Sequence, residues 1–475
     1  MTAGPAASVT LEALHRRCAG IALLTAADDT APYLTDHRRL FHGRALAVAL
    51  PQTTAQLADL MSACYALDIA IVPQGGNTSY CGGATPDESG QQLVIGLARM
   101  NRVRAIDPAN FSITVEAGCL LANVQGAAAE AGRYFPLELG SAGSCQIGGN
   151  LATNAGGLNV LRFGMARELA LGIEAVLPDG RVFQRLRSLR KDNTGYDLKS
   201  LLIGSEGTLG IISAATLKLW PQLRCRATAV VAVPDVGTAI TLLATLRAAA
   251  GERLNSFELL PRSAIELACR HIPDTRAPLG TGAAWNVLCE LGSFVDEPLV
   301  ELLQNTLTQA MAAGVLQDAA IASNEAQRRA FWNLREAIPE AQRRAGPGVK
   351  HDISVPVSAL PAFVAEASAW VHAHVPEGTL VAYGHAGDGN LHFNINWLGA
   401  VAAGAIASQE PLIRRAIHDL VAAHGGSISA EHGIGQLKVA ELQHYTPAIE
   451  LDMMRAIKRA LDPKGLMNPG KLLVR

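Results

Sequence analysis

Two histidines frame a glycine-rich turn in the second half of the chain. The segment YGHAGDGNLHFN (residues 383–394) carries His385 and His392 between two apolar stretches that predict strands. The short turn would return His385 to His392, and two neutral imidazoles on adjacent strands can bind a divalent transition metal. His392 and Asn394 are two residues apart, so both side chains would point to one face of their strand. For each histidine taken alone, a hydrogen-bonded core position is the alternative.

Four further polar side chains could complete a reactive site. In the segment SISAEHGIG (residues 427–435), Glu431 offers a carboxylate to a metal, and His432 beside it offers a proton acceptor. Arg335 presents a planar fork that suits a carboxylate, and Lys350 presents a second cation. Solvent-exposed surface charge is the alternative for Arg335 and Lys350.

Three glycine clusters lie in the first half of the chain: PQGGNTSYCGG (residues 73–83), PLELGSAGSCQIGGNLATNAGG (136–157) and GSEGTLG (204–210). Glycines after a buried strand let several backbone N–H groups face one anion. A pyrophosphate would suit the first cluster, where Thr78 and Ser79 add hydroxyl donors. The second cluster has no amphipathic period and little side-chain volume, so its main chain could lie along a flat or extended ligand. A simple glycine turn is the alternative for the first cluster.

Two well-known nucleotide-binding motifs are not supported. The segment GLMNPGK (465–471) begins like a P-loop, but Leu472 stands where Ser or Thr is required and no strand precedes it. No G-x-G-x-x-G sequence occurs, so a nicotinamide-binding Rossmann half is not predicted.

Apolar periodicity predicts the elements that position these residues. In the first half we expect a helix over 52–67, strands over 69–72, 92–97 and 113–117, a hairpin of 169–177 with 181–184, and a strand pair over 208–219. In the second half we expect strands over 227–233, 349–356, 380–382 and 391–397, with helices over 236–250, 298–313 and 331–340. The second pattern predicts an antiparallel sheet covered by helices, and the change near residue 222 predicts a domain boundary.

The composition excludes several classes of protein. The chain has 475 residues, of which 49% are hydrophobic, enough for two or three domains with their own cores. Its 40 Lys and Arg against 42 Asp and Glu give a net charge of −2, and aromatic residues make up 5%, so no nucleic-acid partner is expected. Its eight cysteines form no C-x-x-C pair, which argues against zinc ribbons and iron–sulfur clusters.

The sequence predicts a cytoplasmic protein. The first 20 residues lack the basic and apolar pattern of a secretory signal. No apolar stretch reaches the about 20 residues of a membrane helix, so no transmembrane segment is expected.

The three glycine clusters together, in this order, resemble the FAD-binding domain of the vanillyl-alcohol oxidase / p-cresol methylhydroxylase superfamily. The resemblance covers roughly residues 40 to 222. It implies an α+β fold with a two-part FAD-binding domain of this type, followed here by an antiparallel-sheet substrate domain covered by helices. In some relatives a histidine of the first cluster links covalently to the flavin. Asn77 stands in that stretch and no histidine lies between residues 43 and 270, so we expect noncovalent FAD.

The resemblance also implies which residues bind FAD. The first cluster would hold the pyrophosphate, the second would line the flavin and ribityl chain, and Ile211 or Ile212 would support the adenine half. One departure from many relatives is Glu138, where they carry Asp. The implied cofactor-binding residues are Pro73, Gln74, Gly75, Gly76, Asn77, Thr78, Ser79, Ser141, Gly148, Gly149, Asn150, Thr153, Asn154, Gly157, Glu206, Gly207, Ile211, Ile212 and Asn468.

The second half resembles one branch of this superfamily, the FAD-dependent D-2-hydroxyacid dehydrogenases, through its GHAGDGNLH, SISAEHG and LDPKGLMNPGK segments. The resemblance then covers nearly the whole chain. It implies a divalent metal, Zn²⁺ or Mn²⁺, bound by His385, His392 and Glu431. It also implies that His432 is the catalytic base and contacts the substrate. Asn394 is implied as a second substrate contact.

Within this branch the chain is most similar to the D-2-hydroxyglutarate dehydrogenase group. In that group an Arg and a Lys at the places of Arg335 and Lys350 hold the distal carboxylate of the substrate. Pro339 replaces a Thr of some members, so the hydroxyl contact of that Thr is missing. We therefore expect four parts: an N-terminal helical segment (1–42), an FAD-binding domain (43–222), a substrate and metal domain (223–440) and a C-terminal segment closing over the flavin (441–475).

The predicted reaction is oxidation of a D-2-hydroxyacid, foremost D-2-hydroxyglutarate, to the 2-oxoacid, with hydride transfer to flavin N5. D-lactate and D-malate are the alternative substrates within the family. The alternatives from other classes are a zinc hydrolase that uses the same three metal ligands and an electron-transfer subunit without a substrate of its own. The expected partners are a small hydroxyacid and an external electron acceptor, foremost an electron-transfer flavoprotein, with a homodimer as a further possibility.

Overall fold

A computed structural model describes residues 5–280, 282–399 and 403–474. The strands follow one another along the chain as β1 (Ala22–Leu24), β2 (Ala47–Leu50), β3 (Ile71–Gln74), β4 (Leu93–Gly96), β5 (Val103–Asp107), β6 (Ser112–Glu116), β7 (Arg133–Tyr134), β8 (Ala170–Val176), β9 (Val182–Arg185), β10 (Ile211–Lys218), β11 (Trp220–Pro221), β12 (Cys225–Val233), β13 (Leu254–Pro261), β14 (Trp285–Ser293), β15 (Asp318–Ile321), β16 (Gly348–Val349), β17 (Asp352–Ser354), β18 (Thr379–Tyr383) and β19 (Asn390–Asn396).

The helices differ in length from single turns to 21 residues. They are α1 (Pro5–Arg17), α2 (Ala27–Thr30), α3 (Thr54–Ala66), α4 (Leu121–Glu130), α5 (Ile147–Ala152), α6 (Val160–Phe163), α7 (Ala166–Leu169), α8 (Leu198–Leu202), α9 (Val236–Ala250), α10 (Arg262–His271), α11 (Leu299–Ala312), α12 (Glu325–Ala345), α13 (Leu360–His374), α14 (Ala403–Ala423), α15 (Val439–Tyr445) and α16 (Ala448–Leu461). Within the described ranges, no helix is both long and apolar enough to span a bilayer.

The chain packs as two compact units. The first unit holds residues 5–157, 164–222 and 431–474, and the second holds 158–163 and 223–430. The first unit thus combines the N-terminal part of the chain with its C-terminal end. The domain bounds expected from the sequence stay a prediction.

The first unit is built on two main sheets. One has the order β1-β2-β4-β3, in which β2, β4 and β3 run parallel. The other has the order β5-β6-β10-β8-β9 and is antiparallel throughout. Helix α3 begins after Thr53, whose side chain accepts the N–H of Gln56, and its apolar residues Leu57, Leu60 and Met61 enter the core shared with Ile71.

The second unit has two antiparallel sheets. The first has the order β13-β14-β12-β15. In the second sheet β19 pairs with β18 on one side and with β16 and β17 on the other. Helices α10 and α12 cover the first sheet through a core that includes Leu260, Ile265, Leu288 and Leu334. The predicted α+β class, with an antiparallel sheet covered by helices in the second half, is confirmed.

Most elements predicted from periodicity are confirmed, and two predictions were wrong. The helix at 236–250 and the hairpin of β8 with β9 are present. The expected strand pair over 208–219 is one continuous strand, β10, because the whole apolar run pairs in the middle of its sheet. The expected strand over 349–356 is divided into β16 and β17. The ladder is interrupted there because the N–H of His351 donates to the side-chain oxygen of Asn394.

Leu334 tests the packing of α12. It is fully buried in the core of the second unit, so we expect Leu334→Ala to lower the free energy of unfolding of this unit by about 2–5 kcal/mol. Urea unfolding followed by tryptophan fluorescence measures this, since four of the five tryptophans lie in the second unit. The exposed Glu336→Ala on the same helix is the control and should change little. Equal stability of the two variants would contradict the packing described for α12.

Candidate active site

A pair of backbone hydrogen bonds joins the two sheets of the second unit. The N–H of Leu259 donates to the carbonyl of Gly384, and the N–H of Gly384 donates back, at 2.8 and 3.0 Å. Gly384 has a φ of 139°, which favours glycine. This bridge places the side chains of the neighbouring residues Glu258 and His385 against each other.

The carboxylate of Glu258 is shared by two side chains. Oε1 accepts the Nδ1–H of His385 at 2.7 Å, and Oε2 accepts the Nε–H of Arg335 at 2.6 Å. All three side chains are buried, with side-chain exposures of 1% for Glu258 and 7% for the other two. Burial by itself raises the pKa of Glu258, but the charges of and hydrogen bonds from His385 and Arg335 outweigh it and lower that pKa to about 2. Glu258 is therefore an anion at neutral pH.

The sequence left open whether Arg335 is buried or exposed, and the structure shows that it is a buried cation. Helix α12 carries it, and its guanidinium lies over the ring of Tyr383, 5.1 Å from the centroid. Its Nη2 atom lies 3.4 Å from Nε2 of His385.

His392 lies beside His385, as the turn between their strands predicts. Their ring centroids are 5.6 Å apart. On β19, His392 has Asp352 and Tyr383 as its cross-strand neighbours. Oδ1 of the buried Asp352 lies 3.8 Å from Nδ1 of His392, and the same oxygen accepts a hydrogen bond from the amide of Asn390.

This donor set suits a divalent metal. A metal-binding histidine usually gives its second ring nitrogen to a carboxylate, which fixes the tautomer. In the second unit Nδ1 of His385 donates to Glu258, so Nε2 is the candidate ligand atom of His385. Nδ1 of His392 lies 3.8 Å from Asp352, which is beyond hydrogen-bond distance. The arrangement fits the predicted metal, whose presence stays a proposal.

Asn394 belongs to a buried chain of amides. Its Oδ1 accepts the N–H of His351, and its Nδ2 donates to Oε1 of Gln342 at 3.1 Å. Gln342 in turn donates to Asn396 at 2.7 Å. Lys350 follows β16 directly and lies one residue before His351. The predicted substrate contacts of Asn394 and Lys350 stay predictions.

The first unit brings the three glycine clusters together. A Cβ on Gly75 would lie 3.6 Å from the Cα of Gly149, which places the first cluster against the second. A Cβ on Gly207 would lie 2.8 Å from Pro73, which places the third cluster against the first. The amide of Asn468 donates to the backbone carbonyl of Glu206 at 2.8 Å.

The predicted FAD residues occupy strand ends, one short helix and loops of this unit. Pro73 and Gln74 end β3, Gly148 to Asn150 lie in α5, and Ile211 and Ile212 begin β10 with buried side chains. The remaining ones lie in the connecting segments: Gly75, Gly76, Asn77, Thr78, Ser79, Ser141, Thr153, Asn154, Gly157, Glu206, Gly207 and Asn468.

The backbone at these loops is left-handed at several non-glycine residues. Nine described non-glycine residues have a left-handed φ, and four of them are predicted FAD residues: Asn77, Asn154, Glu206 and Asn468, at 42–52°. Such strained backbone clusters at binding sites. Within the described residues the side-chain oxygens of Asn468 and Gln146 are buried without a hydrogen-bond partner, and a Cβ on Gly149 would meet no atom within 4 Å. Buried acceptors without a partner in this unit fit a ligand with N–H and O–H groups such as FAD.

Glu206 binds the loop that carries Glu431 and His432. Its two carboxylate oxygens accept the N–H groups of Ile434 and Gly435 at 2.8 and 2.7 Å. Its own backbone is linked to Asn468, as described above. The sequence placed Glu206 among the FAD residues, and the structure shows this carboxylate engaged with the 433–435 loop.

Glu431 and His432 both lie in the first unit. Oε1 of Glu431 accepts the N–H of Gly157 at 2.7 Å, at the end of the second glycine cluster. The ring of His432 packs on Tyr80, with centroids 4.5 Å apart, and Tyr80 packs on His37. His385, His392, Arg335, Lys350 and Asn394 lie in the second unit.

Sequence reasoning missed Glu258, Asp352 and Gln342. The only available signal for Glu258 was an acid within the apolar strand LNSFELLP. The strand WNVLCELGS gives the same signal for Glu290, which binds Arg328, Trp332 and Thr228 instead. This signal is the same for both acids, so it could not have shown which of them binds a histidine.

Glu206→Ala tests the hold on the 433–435 loop. The variant leaves the N–H groups of Ile434 and Gly435 without their acceptor, so we expect a loss of about 1–3 kcal/mol in stability and faster amide exchange at these two residues. Hydrogen–deuterium exchange with mass spectrometry measures this. Glu88→Ala, at an exposed position of the same unit, is the control. Unchanged exchange over 433–436 would contradict the proposed hold.

Comparison with known families matches both halves of the chain. The model described as the FAD binding domain matches residues 45–184, and the C-terminal domain of FAD linked oxidases matches residues 223–472. The chain is 37% identical to mitochondrial D-2-hydroxyglutarate dehydrogenase of Bos taurus over 469 residues, covering 98% of this chain and 83% of that one. It is 36% identical to D-2-hydroxyglutarate dehydrogenase of Xanthomonas citri pv. viticola over 459 residues, covering 97% and 96%.

The fold has close counterparts among solved structures. The structure of p-cresol methylhydroxylase with substrate bound aligns with a TM-score of 0.77 at 16% identity, over 99% of this chain and 97% of that one. The predicted superfamily fold is therefore confirmed. By its sequence matches over nearly its whole length, the chain belongs to the FAD-dependent D-2-hydroxyacid dehydrogenases of the vanillyl-alcohol oxidase / p-cresol methylhydroxylase superfamily.

Proposed function

We propose that this FAD-dependent dehydrogenase oxidises D-2-hydroxyglutarate to 2-oxoglutarate with the help of a divalent metal and a histidine base. The observation that carries the proposal is the buried cluster of Arg335, Glu258 and His385. It joins a cation suited to a carboxylate with an imidazole suited to a metal. Relatives named D-2-hydroxyglutarate dehydrogenase, at 36–37% identity over nearly the whole chain, support the same substrate.

Each part of the chain has a proposed role in this reaction. FAD, when bound, supplies the hydride acceptor for C2 of the substrate. Asn77, in place of a linking histidine, leaves FAD noncovalently bound. A divalent metal, when bound, supplies a Lewis acid that lowers the pKa of the substrate hydroxyl. His385, His392 and Glu431 are the proposed ligands, with Zn²⁺ as the first choice of metal.

The other polar residues bind the substrate and move its proton. His432 is the proposed base that accepts the proton of the C2 hydroxyl. Arg335 and Lys350 would hold the distal carboxylate, and Asn394 would contact the substrate. The electrons would leave to an external acceptor, for which an electron-transfer flavoprotein is proposed. Membership of an FAD-dependent dehydrogenase family leaves the zinc hydrolase alternative without support.

The location of the protein in the cell stays a prediction. The sequence predicts a cytoplasmic protein, whereas the bovine relative is named as mitochondrial.

His392→Ala tests the metal site. Loss of one imidazole should lower the zinc content of the purified protein at least tenfold while its FAD content stays the same, because the predicted FAD residues lie in the other unit. Elemental analysis and flavin absorbance measure the two quantities. His372→Ala, at an exposed position of α13, is the control. Loss of FAD with zinc retained would contradict the assignment of His392 to a metal.

The choice of substrate is tested by flavin reduction without oxygen. Wild-type protein should be bleached by D-2-hydroxyglutarate and not by its L enantiomer. Lys350→Ala should lower kcat/KM for D-2-hydroxyglutarate by about 10- to 100-fold, because a hydrogen bond to a charged group contributes about 1.5–3 kcal/mol. The same variant should change kcat/KM for D-lactate little. Arg329→Ala, with its side chain 70% exposed, is the matched cation control.

The ratio of the two kcat/KM values is the decisive quantity. A wild-type preference for D-lactate, or an equal loss for both acids in Lys350→Ala, would contradict the dicarboxylate proposal. The D-lactate alternative would then become the best description.

A further inference from the structure

We infer that Glu258 is a positioning residue that couples the metal-binding imidazole of His385 to the carboxylate-binding guanidinium of Arg335. The inference rests on the proposed function, because it assigns Glu258 a task within that same site. Glu258 itself contacts neither metal nor substrate in this proposal. It acts through the two side chains that do.

The first argument is geometric. Each oxygen of Glu258 has its own partner: Oε1 takes the Nδ1–H of His385 at 2.7 Å, and Oε2 takes the Nε–H of Arg335 at 2.6 Å. A rigid carboxylate therefore sets the rotation of the imidazole and of the guanidinium at once. It also places the proton of His385 on Nδ1, so that Nε2 has the lone pair that a metal needs.

The second argument is electrostatic. Nη2 of Arg335 lies 3.4 Å from Nε2 of His385, so a buried positive charge faces the candidate ligand atom. Alone, this charge would oppose a divalent cation at the same atom. Glu258 forms an ion pair with Arg335 at 2.6 Å, so its carboxylate offsets the charge of the guanidinium beside His385. The same carboxylate thus allows the carboxylate-binding Arg335 and the metal-binding His385 to lie close together.

Glu290 offers a matched comparison within the same unit. It is also a buried glutamate of the sheet β13-β14-β12-β15, and it also binds helix α12, through Arg328 at 3.1 Å and Trp332 at 2.8 Å. None of its hydrogen bonds or ion pairs in the described part of the chain involves a histidine. Both acids therefore tie α12 to the sheet, and Glu258 alone of the two binds His385.

The experiment compares Glu258→Gln with Glu290→Gln in the full-length FAD-loaded protein. Zinc is removed with a chelator, and zinc affinity is measured by competition with a chromophoric chelator, alongside flavin absorbance and the melting temperature. Glu258→Gln should weaken zinc binding about 10- to 100-fold, the usual effect of losing a carboxylate behind a metal-binding histidine. The zinc affinity of Glu290→Gln should remain within about threefold of wild type, even if its melting temperature falls as much as that of Glu258→Gln.

The coupling to Arg335 has its own measurement. Glu258→Gln should also lower the ratio of kcat/KM for D-2-hydroxyglutarate to that for D-lactate, by about tenfold, because Arg335 loses its orientation. Lys350→Ala should lower this ratio with zinc affinity unchanged. Combined loss of zinc affinity and dicarboxylate preference in Glu258→Gln alone is the result that supports coupling.

The outcomes separate this inference from the proposed function. If wild-type protein binds no zinc, the metal part of the proposed function and this inference are both overturned. If wild type binds zinc and Glu258→Gln binds it as tightly as Glu290→Gln does, only the role of Glu258 is overturned. If Glu258→Gln does not fold, the double variant Glu258→Leu with Arg335→Met removes both charges together and avoids an unpaired buried cation. Wild-type zinc affinity in that folded variant would likewise overturn the inference.

Discussion

One buried carboxylate holds the centre of the second unit together. Glu258 binds Arg335 from helix α12 and His385 from the turn after β18, and so joins a helix, a strand and a loop at one point. Burying a charge costs stability unless it is paired and hydrogen-bonded, and here each oxygen of the carboxylate has a partner. The backbone bridge between Leu259 and Gly384 supplies the alignment, since it sets the two sheets in register beside Glu258. A side chain at residue 384 would be strained at its φ of 139°, so this bridge favours glycine there.

The first unit is characterised by closely packed main chain at its glycine clusters. Its glycine clusters pack so closely that a Cβ on Gly76 would overlap the carbonyl oxygen of Ser144. Left-handed residues, among them Asn77 and Asn154, turn the backbone within these clusters. Glu206 then fixes the 433–435 loop by its backbone amides, which brings the C-terminal part of the chain into the same unit. Backbone groups and left-handed turns thus organise the packing of the first unit, whereas paired side-chain charges organise the centre of the second.

The known proteins that this chain resembles differ in what their similarity shows. p-Cresol methylhydroxylase has a similar fold at 16% identity, and that degree of likeness describes the architecture alone. The dehydrogenase relatives at 36–37% identity align with 97–98% of this chain. The fold is thus shared across a wide superfamily, whereas the sequence similarity assigns the chain to its D-2-hydroxyacid dehydrogenases.

The sequence by itself determined the family, the glycine clusters of the first unit and the pairing of His385 with His392. Glycine runs and a turn between two strands are local patterns, and a local pattern restricts the backbone without information from the rest of the chain. The sequence could not decide that Arg335 is a buried cation, that Glu206 binds a backbone loop, or that Glu258 rather than Glu290 meets a histidine. Glu258 lies 77 residues from Arg335 and 127 from His385 along the chain, and both acids occur in similar apolar strands. Only the pairing of β13 with the residue before His385 distinguishes them, because contacts between distant segments depend on strand register and sheet packing, which no single segment encodes.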